Sequence, residues 1–278
     1  SGQIKIMSVK FNILLRACDK IESVHKVKRP YNLNKLQTIK VCFYSLYKSL
    51  QNSQYQIKII GDDLSLELLD FFKNFNDVIV DNDKLGSAAK SLQKQIDIAL
   101  NVPDDEWVYM CEDDYLHSPE TFKYISELIE NKEQYLQTSP KKKNYMNRII
   151  GDLSKIPLII HPPDYPDRYK SQWKRLSFIF LSKHCHWRQI TNTTHTFLLQ
   201  SSSIKKFEKY IKLSALGPSD AKLSENVYGR ILFRNKAICV SPIKGLSSHM
   251  TEGVMTPLVD WKSVSEKYID DMKKNGFW

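Results

Sequence analysis

Over the first 130 or so residues, short apolar runs alternate with stretches of helical spacing. The run "FNILL", Phe11 to Leu15, has the length of a strand and passes into the polar "RACD". Leu36, Ile39, Phe43, Leu46, Tyr47 and Leu50 then recur at the intervals of one helix face. "YQIKIIGDD" predicts a second strand, and "SLELLDFFKNF" a helix with Ser65 as its N-cap. "DVIVDN" predicts a third strand, and "GSAAKSLQKQIDIALN" is rich in good helix formers. "EWVYMCEDD" predicts a fourth strand. "SPETFKYISELIE" predicts a helix entered through a Ser cap with Pro in the first turn. Strand and helix alternating in this way predict an open, mostly parallel α/β sheet flanked by helices.

After about residue 140 the alternation fades. "KIPLIIHPPDYPDRYKSQWKR" reads as a Pro- and aromatic-rich loop with short strands. The stretch from Phe178 to Ile211 predicts a strand, a polar loop, a strand and a helix. "SENVYGRILFRN" predicts a helix, "KAICVSPIKG" a strand, and "VSEKYIDDMKKNGFW" a closing helix with lysines in its last turn. The expectation is one domain over 1–278, in which a less regular second half (about 141–278) completes the sheet begun by the first (about 9–140).

Open sheets of this kind bind ligands outside the carboxyl ends of their strands. Here those ends read "RACD", "GDD", "DNDKLG" and "EDD", and three of the four hold two or more acids. The last cluster is Glu112, Asp113 and Asp114. If strand alternation continues through it, Glu112 and Asp114 point one way and Asp113 the other. Two carboxylates so placed could hold a hard divalent cation, or they could form a solvated turn.

Composition narrows the classes. The chain has 278 residues, 42% hydrophobic and 26% charged, which is ordinary globular material. The net charge of +10 favours an anionic partner, such as nucleic acid, a phosphorylated small molecule, an acidic polymer or a membrane surface. Five Cys without a C-x-x-C pair argue against a disulfide framework and for a reducing, cytoplasmic setting. No apolar run is long enough to span a bilayer, and no signal peptide is visible. The opening Ser1-Gly2 has the look of a tag remnant, so a native N-terminal segment is expected to have preceded it. "KHCHW" brings Cys185 between His184 and His186, but no second ligand cluster has zinc spacing.

Taken in order, "FNILLRACDK", "YQIKIIGDDLSLE", "LGSAAKSLQKQIDIAL" and "EWVYMCEDDYLHSPETF" resemble the nucleotide-binding half of GT-A fold glycosyltransferases, the family 2 type above all. In that family an acid pair ends the second strand, a small-residue helix start precedes the metal strand, and the metal strand ends in D-x-D with Pro soon after. Here Glu112 stands in place of the first Asp of D-x-D. The similarity covers roughly the first half. Later, "LSEN" offers Glu225 where inverting members carry a catalytic base, with Asn226 in place of an Asp, and "GLSSHMTEG" offers His249 as a late metal ligand. The Q-x-x-R-W signature of processive synthases is absent.

The resemblance implies a non-processive, inverting transferase. It would move a sugar from a UDP, GDP or dTDP sugar to a hydroxyl of a glycan or glycoconjugate. Mn²⁺ or Mg²⁺ would neutralise the charge that builds on the departing diphosphate. Asp114 would be the direct ligand, Glu112 a ligand or a ribose contact, and His249 a later addition to the shell; Mn²⁺ accepts imidazole. Arg16, Asp19, Asp62, Asp63 and Asp113 would contact the nucleotide. Gly86 and Ser87 would offer it a helix N-terminus, and Lys90 and Lys94 would face the diphosphate. Glu225 is the expected general base, with Asp220 in reserve. Tyr165, Trp173 and Trp187 are the expected stacking platforms for the acceptor. Peripheral contact with the cytoplasmic face of a membrane is a further expectation.

Two other classes compete. A sugar nucleotidyltransferase usually opens with a Gly-rich basic loop after its first strand, and "RACDKIESVHK" has no Gly. A basic nucleic-acid-binding protein fits the charge, but no recognition motif stands out and acid-ended strands would repel phosphate without a metal. A glycoside hydrolase would also use paired carboxylates, yet the strand-end pattern matches nucleotide binding better.

Overall fold

The computed structural model describes residues 9–20, 28–137, 152–170, 177–216, 221–229 and 235–278. Asp220, Trp173 and the lysines at 141–143 lie outside the described residues. The first half follows the alternation: β1 (Lys10–Ala17), α1 (Lys35–Ser49), β2 (Gln54–Asp62), α2 (Leu66–Phe72), β3 (Val78–Asp83), α3 (Ala88–Ala99) and β4 (Trp107–Glu112). After β4 comes a strand that the pattern did not predict, β5 (Tyr115–His117), and then α4 (Thr121–Glu130) and α5 (Lys132–Leu136). The Ser cap expected for α4 is absent: its N-cap is Glu120, which makes no side-chain cap.

The second half adds β6 (Leu158–Ile160), β7 (Ile179–Leu181), β8 (His186–Gln189), β9 (Phe197–Gln200), α6 (Ser201–Ala215), β10 (Ile238–Pro242), β11 (Ser247–His249) and α7 (Trp261–Lys274). Where one helix was expected from Ser224 onward, Ser224–Tyr228 forms a single widened π-helical turn.

Nine strands form one sheet in the order β3-β2-β1-β4-β9-β6-β10-β8-β7. The four from the first half run parallel. β9 joins antiparallel to β4 and β6, and β10 is parallel to β6. β8 and β7 close the far edge antiparallel. The second half therefore completes the sheet, as expected, but largely by antiparallel pairing. Core lies on both faces: Ile13, Phe43, Ile57, Tyr109 and Phe122 belong to one cluster and Leu14, Ile60, Val108, Ile159 and Phe207 to the other. Neighbouring residues of β1 point to opposite clusters, which is why its apolar run is unbroken. The aromatic face of α1 packs there too, with Phe43 edge-on to Phe71, Phe72 and Phe75.

A second, two-stranded sheet pairs β5 with β11 antiparallel, with Tyr115 opposite His249. Among the described residues no helix is long and apolar enough to cross a membrane.

Candidate active site

The carboxyl ends of β1 to β4 share one edge. Register sets Arg16 of β1 opposite Glu112 of β4 and Ile60 of β2, and Ile60 opposite Asp81 of β3. The three acids at the end of β4 then part company. β4 ends at Glu112, and Asp113 and Asp114 form the turn into β5. The charges of Glu112 and Asp114 both act on His249 while Asp113 turns back to β1, so the expected sidedness is kept, although the closest partners of the two acids differ.

Glu112 accepts from Arg16 Nη2 at 2.9 Å, and its own amide donates to Thr196 Oγ1. Asp113 turns back to β1 and accepts from the Cys18 amide at 2.9 Å. Asp114 meets His249 Nε2 at 3.1 Å. That meeting is a consequence of the small sheet: Tyr115–His249 pairing sets His249 beside the residue before Tyr115, and the Met250 amide donates to the Asp114 carbonyl at 2.8 Å. The His249 ring lies flat on the Tyr115 ring, centroids 4.9 Å apart at 4°. Tyr115 and Tyr165 share a hydroxyl hydrogen bond, and Thr194 Oγ1 lies 2.9 Å from the Tyr115 hydroxyl.

The pair is poised as an ion pair. Burial opposes charge on Asp114, but the charge and hydrogen bond of His249, with Arg29 and Lys35, outweigh it and hold the carboxyl below its ordinary value. Burial likewise opposes charge on His249, yet Asp114 and then Glu112 raise it above the ordinary imidazole value. Asp113, buried and beside the Asp114 charge, is pushed up to about 6. Asp114 and His249 keep 21% and 26% of their side chains exposed, so both remain reachable from solvent.

For a divalent cation the fit is partial. Among the described residues no group of three or more His, Cys, Asp and Glu is arranged to hold a metal. Asp114 and His249 offer one oxygen and one nitrogen, a donor set that suits Mn²⁺, while Glu112 is engaged by Arg16. Phosphate oxygens and water would have to supply the other positions.

Arg16 also reaches the start of α3, with Nη1 3.5 Å from the Ala88 carbonyl. That helix starts as expected. Ser87 caps it by accepting from the Lys90 amide at 3.2 Å, and Gly86 adopts φ +72°, a conformation that glycine enters without strain. Lys90 is exposed on its first turn.

Several expected contacts are corrected by the packing. Lys94 does not face a diphosphate; its Nζ binds Asp81 at 2.6 Å and Asp83 at 2.5 Å at the end of β3. Asp62 is buried and accepts from the Leu85 and Gly86 amides, both at 2.8 Å, so it holds the loop before α3. Asp19 accepts from the Ser65 amide and hydroxyl, bracing the start of α2. Asp63 sits at φ +53° and pairs with Lys20 at 2.8 Å on the surface. Trp187 is wholly buried and donates Nε1 to Ser182 Oγ, so it is core and not a sugar platform. Tyr165 belongs to the His249 cluster, its ring stacked on buried His161. Glu225 is exposed and lies 3.7 Å from Lys222; it lines a cavity on the second half of the sheet.

Sequence reasoning passed over Tyr115, Thr194 and Thr196. The alternation of "YLH" directly after the acids was the one signal for β5, and three residues are too few to count as a periodic segment. It also passed over wholly buried Asp164, shared by Arg188 and Arg168.

No family model matches the sequence, and no curated protein does. Solved structures with a similar course of the chain include residues 1–349 of TarS from S. aureus, at 15% identity and a TM-score of 0.45 over 83% of this chain and 58% of that one. Another is a protein titled a glucose-1-phosphate thymidylyltransferase from Bacillus anthracis, at 15% identity and 0.45 over 94% of this chain and 96% of that one. A third is the galactosyltransferase LgtC with donor and acceptor sugar analogs, at 10% identity and 0.39 over 93% and 94%. This chain thus spans under two thirds of TarS 1–349. At these identities and scores the likenesses assign neither a family nor an activity.

Proposed function

We propose that the chain is a glycosyltransferase of GT-A type. It would take a nucleotide-diphosphate sugar at the carboxyl edge of β1 to β4 and pass the sugar to a hydroxyl of a glycan or glycoconjugate. The observation that carries the reading is the grouping at that edge of three features that suit a diphosphate. These are the Arg16 guanidinium, the N-terminus of α3 beside it, and the Asp114–His249 pair set opposite by the β5–β11 pairing.

In this reading Arg16, held in place by Glu112, meets a phosphate oxygen with a fixed fork of donors. The free amides of the first turn of α3 add their partial positive charge. Asp114 and His249 are the two residues that would hold Mn²⁺. When bound, that ion would supply Lewis-acid neutralisation of the leaving diphosphate. Asp113 serves by tying the turn to β1 through the Cys18 amide, and Tyr115 by packing flat on the imidazole of His249. Glu225 remains the candidate base for the acceptor hydroxyl.

The test is calorimetric titration of UDP, GDP and dTDP with Mn²⁺ and with EDTA. Metal-dependent binding of at least one is expected, with loss in Asp114→Asn. No binding of any, or equal affinity in both buffers, would refute the site as drawn.

A further inference from the structure

Stacking on Tyr115 fixes the plane of the His249 ring but not its sense. A half turn about Cβ–Cγ leaves the ring flat and exchanges Nδ1 with Cδ2 and Nε2 with Cε1. Polar contacts at the two nitrogens break the tie. Nε2 lies 3.1 Å from Asp114 Oδ2 and 3.3 Å from Thr251 Oγ1, and Nδ1 lies 3.5 Å from the Tyr165 hydroxyl. The contacts at Nε2 are those that a cation would displace. The contact at Nδ1 is not, because Nδ1 keeps its hydrogen both in the protonated ring and in a ring that coordinates through Nε2.

We propose that Tyr165 is the positioning residue of His249: its hydroxyl, backed by those of Tyr115 and Thr194, holds Nδ1 so that Nε2 stays turned toward Asp114 when a divalent cation sits between them. This rests on the reading of Asp114 and His249 as the residues that hold the cation, and it gives Tyr165 a role there in place of the sugar stacking expected of it.

Two further observations support it. The first is the hydroxyl chain. A phenol or an alcohol both accepts and donates. In one consistent direction, His249 Nδ1–H donates to Tyr165, Tyr165 to Tyr115, and Tyr115 to Thr194 Oγ1 at 2.9 Å, which also accepts from the Thr196 amide at 3.4 Å. The Nδ1 contact is the longest of the chain, so it has room to tighten when a cation draws charge from the ring.

The second is that Tyr165 is itself braced. Its ring stacks on wholly buried His161, centroids 5.7 Å apart at 18°, and lies 5.6 Å from the Arg168 guanidinium. The His161 ring is anchored in turn by Nδ1, 2.7 Å from the Thr196 carbonyl. Side chains held in this way have little freedom left to lose when a ligand arrives. The chain thus joins four separate stretches of sequence, those of Tyr115, Tyr165, Thr194 and His249, at one imidazole.

The experiment uses the full chain, first free of cation and then titrated with Mn²⁺ alone. At about pH 6, below the ordinary imidazole value, proton NMR of the cation-free protein should show a slowly exchanging Nδ1–H of His249, assigned by its loss in His249→Gln. Tyr165→Phe keeps the ring and removes the hydroxyl. It should speed the exchange of that proton and not of Nε2–H, with circular dichroism unchanged. It should also weaken Mn²⁺, read by electron paramagnetic resonance, by about 10- to 100-fold, the usual cost of removing a ligand's outer partner. Thr194→Val, one hydroxyl further out, should weaken Mn²⁺ by about two- to tenfold, the equivalent of one hydrogen bond. Unchanged Nδ1–H exchange or unchanged Mn²⁺ affinity in a folded Tyr165→Phe would overturn the inference. If Tyr165→Phe does not fold, unchanged affinity in Thr194→Val overturns it instead. No Mn²⁺ binding by the unsubstituted chain sinks the cation reading and this inference together. Mn²⁺ binding that depends on Tyr165, in a chain that binds no nucleotide, sinks the transferase reading alone.

Discussion

Replacing Asp114 with Asn should destabilise the protein in a way that depends on pH, and the direction follows from the pair it breaks. The folded pKa of His249 is raised, so its contribution is full below the unfolded value near 6.5 and is lost as pH rises through the folded value. The folded pKa of Asp114 is lowered, so its contribution is present above about 3.9 and is lost as pH falls through the folded value. The pair therefore contributes most between about pH 4 and pH 6.5.

With side chains 21% and 26% exposed, it stands between a surface pair, worth up to about 1 kcal/mol, and a buried one, whose breaking costs about 3–5 kcal/mol. The cost is capped because His249 can shed its proton once Asp114 is gone. From an ordinary value near 6.5, that costs about 1.4 kcal/mol at pH 5.5. The expected loss is thus about 1–2 kcal/mol at pH 5.5. At pH 8.5 it should approach zero or reverse. The variant also relieves Asp113, pushed up to about 6 first by burial and then by the Asp114 charge, and that relief counts only where Asp113 is ionised. Urea denaturation with EDTA present, followed by tryptophan fluorescence at both pH values, measures the difference. NMR of the His249 ring should show its pKa fall in the variant. A loss that is equal at both pH values, or larger at pH 8.5, would refute the ion pair.

Three further outcomes are expected. Glu225→Gln should lower transfer on the order of 10²–10⁴-fold while calorimetry shows unchanged nucleotide affinity; a normal turnover rate removes Glu225 as base. Lys94→Met should leave nucleotide affinity intact and cost about 1 kcal/mol in urea, because its ammonium serves Asp81 and Asp83; a large loss of nucleotide affinity would return it to the phosphate site. Gly245→Ala should cost about 1–3 kcal/mol by thermal denaturation, since its new methyl would lie 2.2 Å from Thr256 Cγ2 and 3.1 Å from the Asp164 amide; an unchanged midpoint would mean that this corner is loosely packed.

The first half of the sheet was legible because β1 and β4 are buried on both faces and its helices are amphipathic. Both leave long signatures. Trp107, Tyr109 and Cys111 face one cluster and Val108 and Met110 the other, so β4 reads as a continuous apolar run. The second half was legible only in outline. β6, β7 and β11 are three residues each, too short for period two to show, and their pairing comes from distant chain: β6 lies between β9 and β10. The Asn and Thr between β8 and β9 read as loop, which they are, but nothing local says that Thr194 and Thr196 reach Tyr115 and Glu112.

The site divides along the same line. Acids at strand ends could be found because the edge of a parallel sheet is a place that sequence order defines. Their individual partners could not. Alternation puts Glu112 and Asp114 on one side, and both charges do act on His249, but the strand stops at Glu112 and the next two residues turn into β5. From there each carboxylate follows its nearest source of positive charge or free donor. Glu112 has Arg16 across the ladder, Asp113 has the unpaired Cys18 amide just past β1, and Asp114 has His249, which a three-residue strand from 135 positions away delivers. Of the two positions that the resemblance to D-x-D singles out, Asp114 thus pairs with a histidine and Glu112 with an arginine.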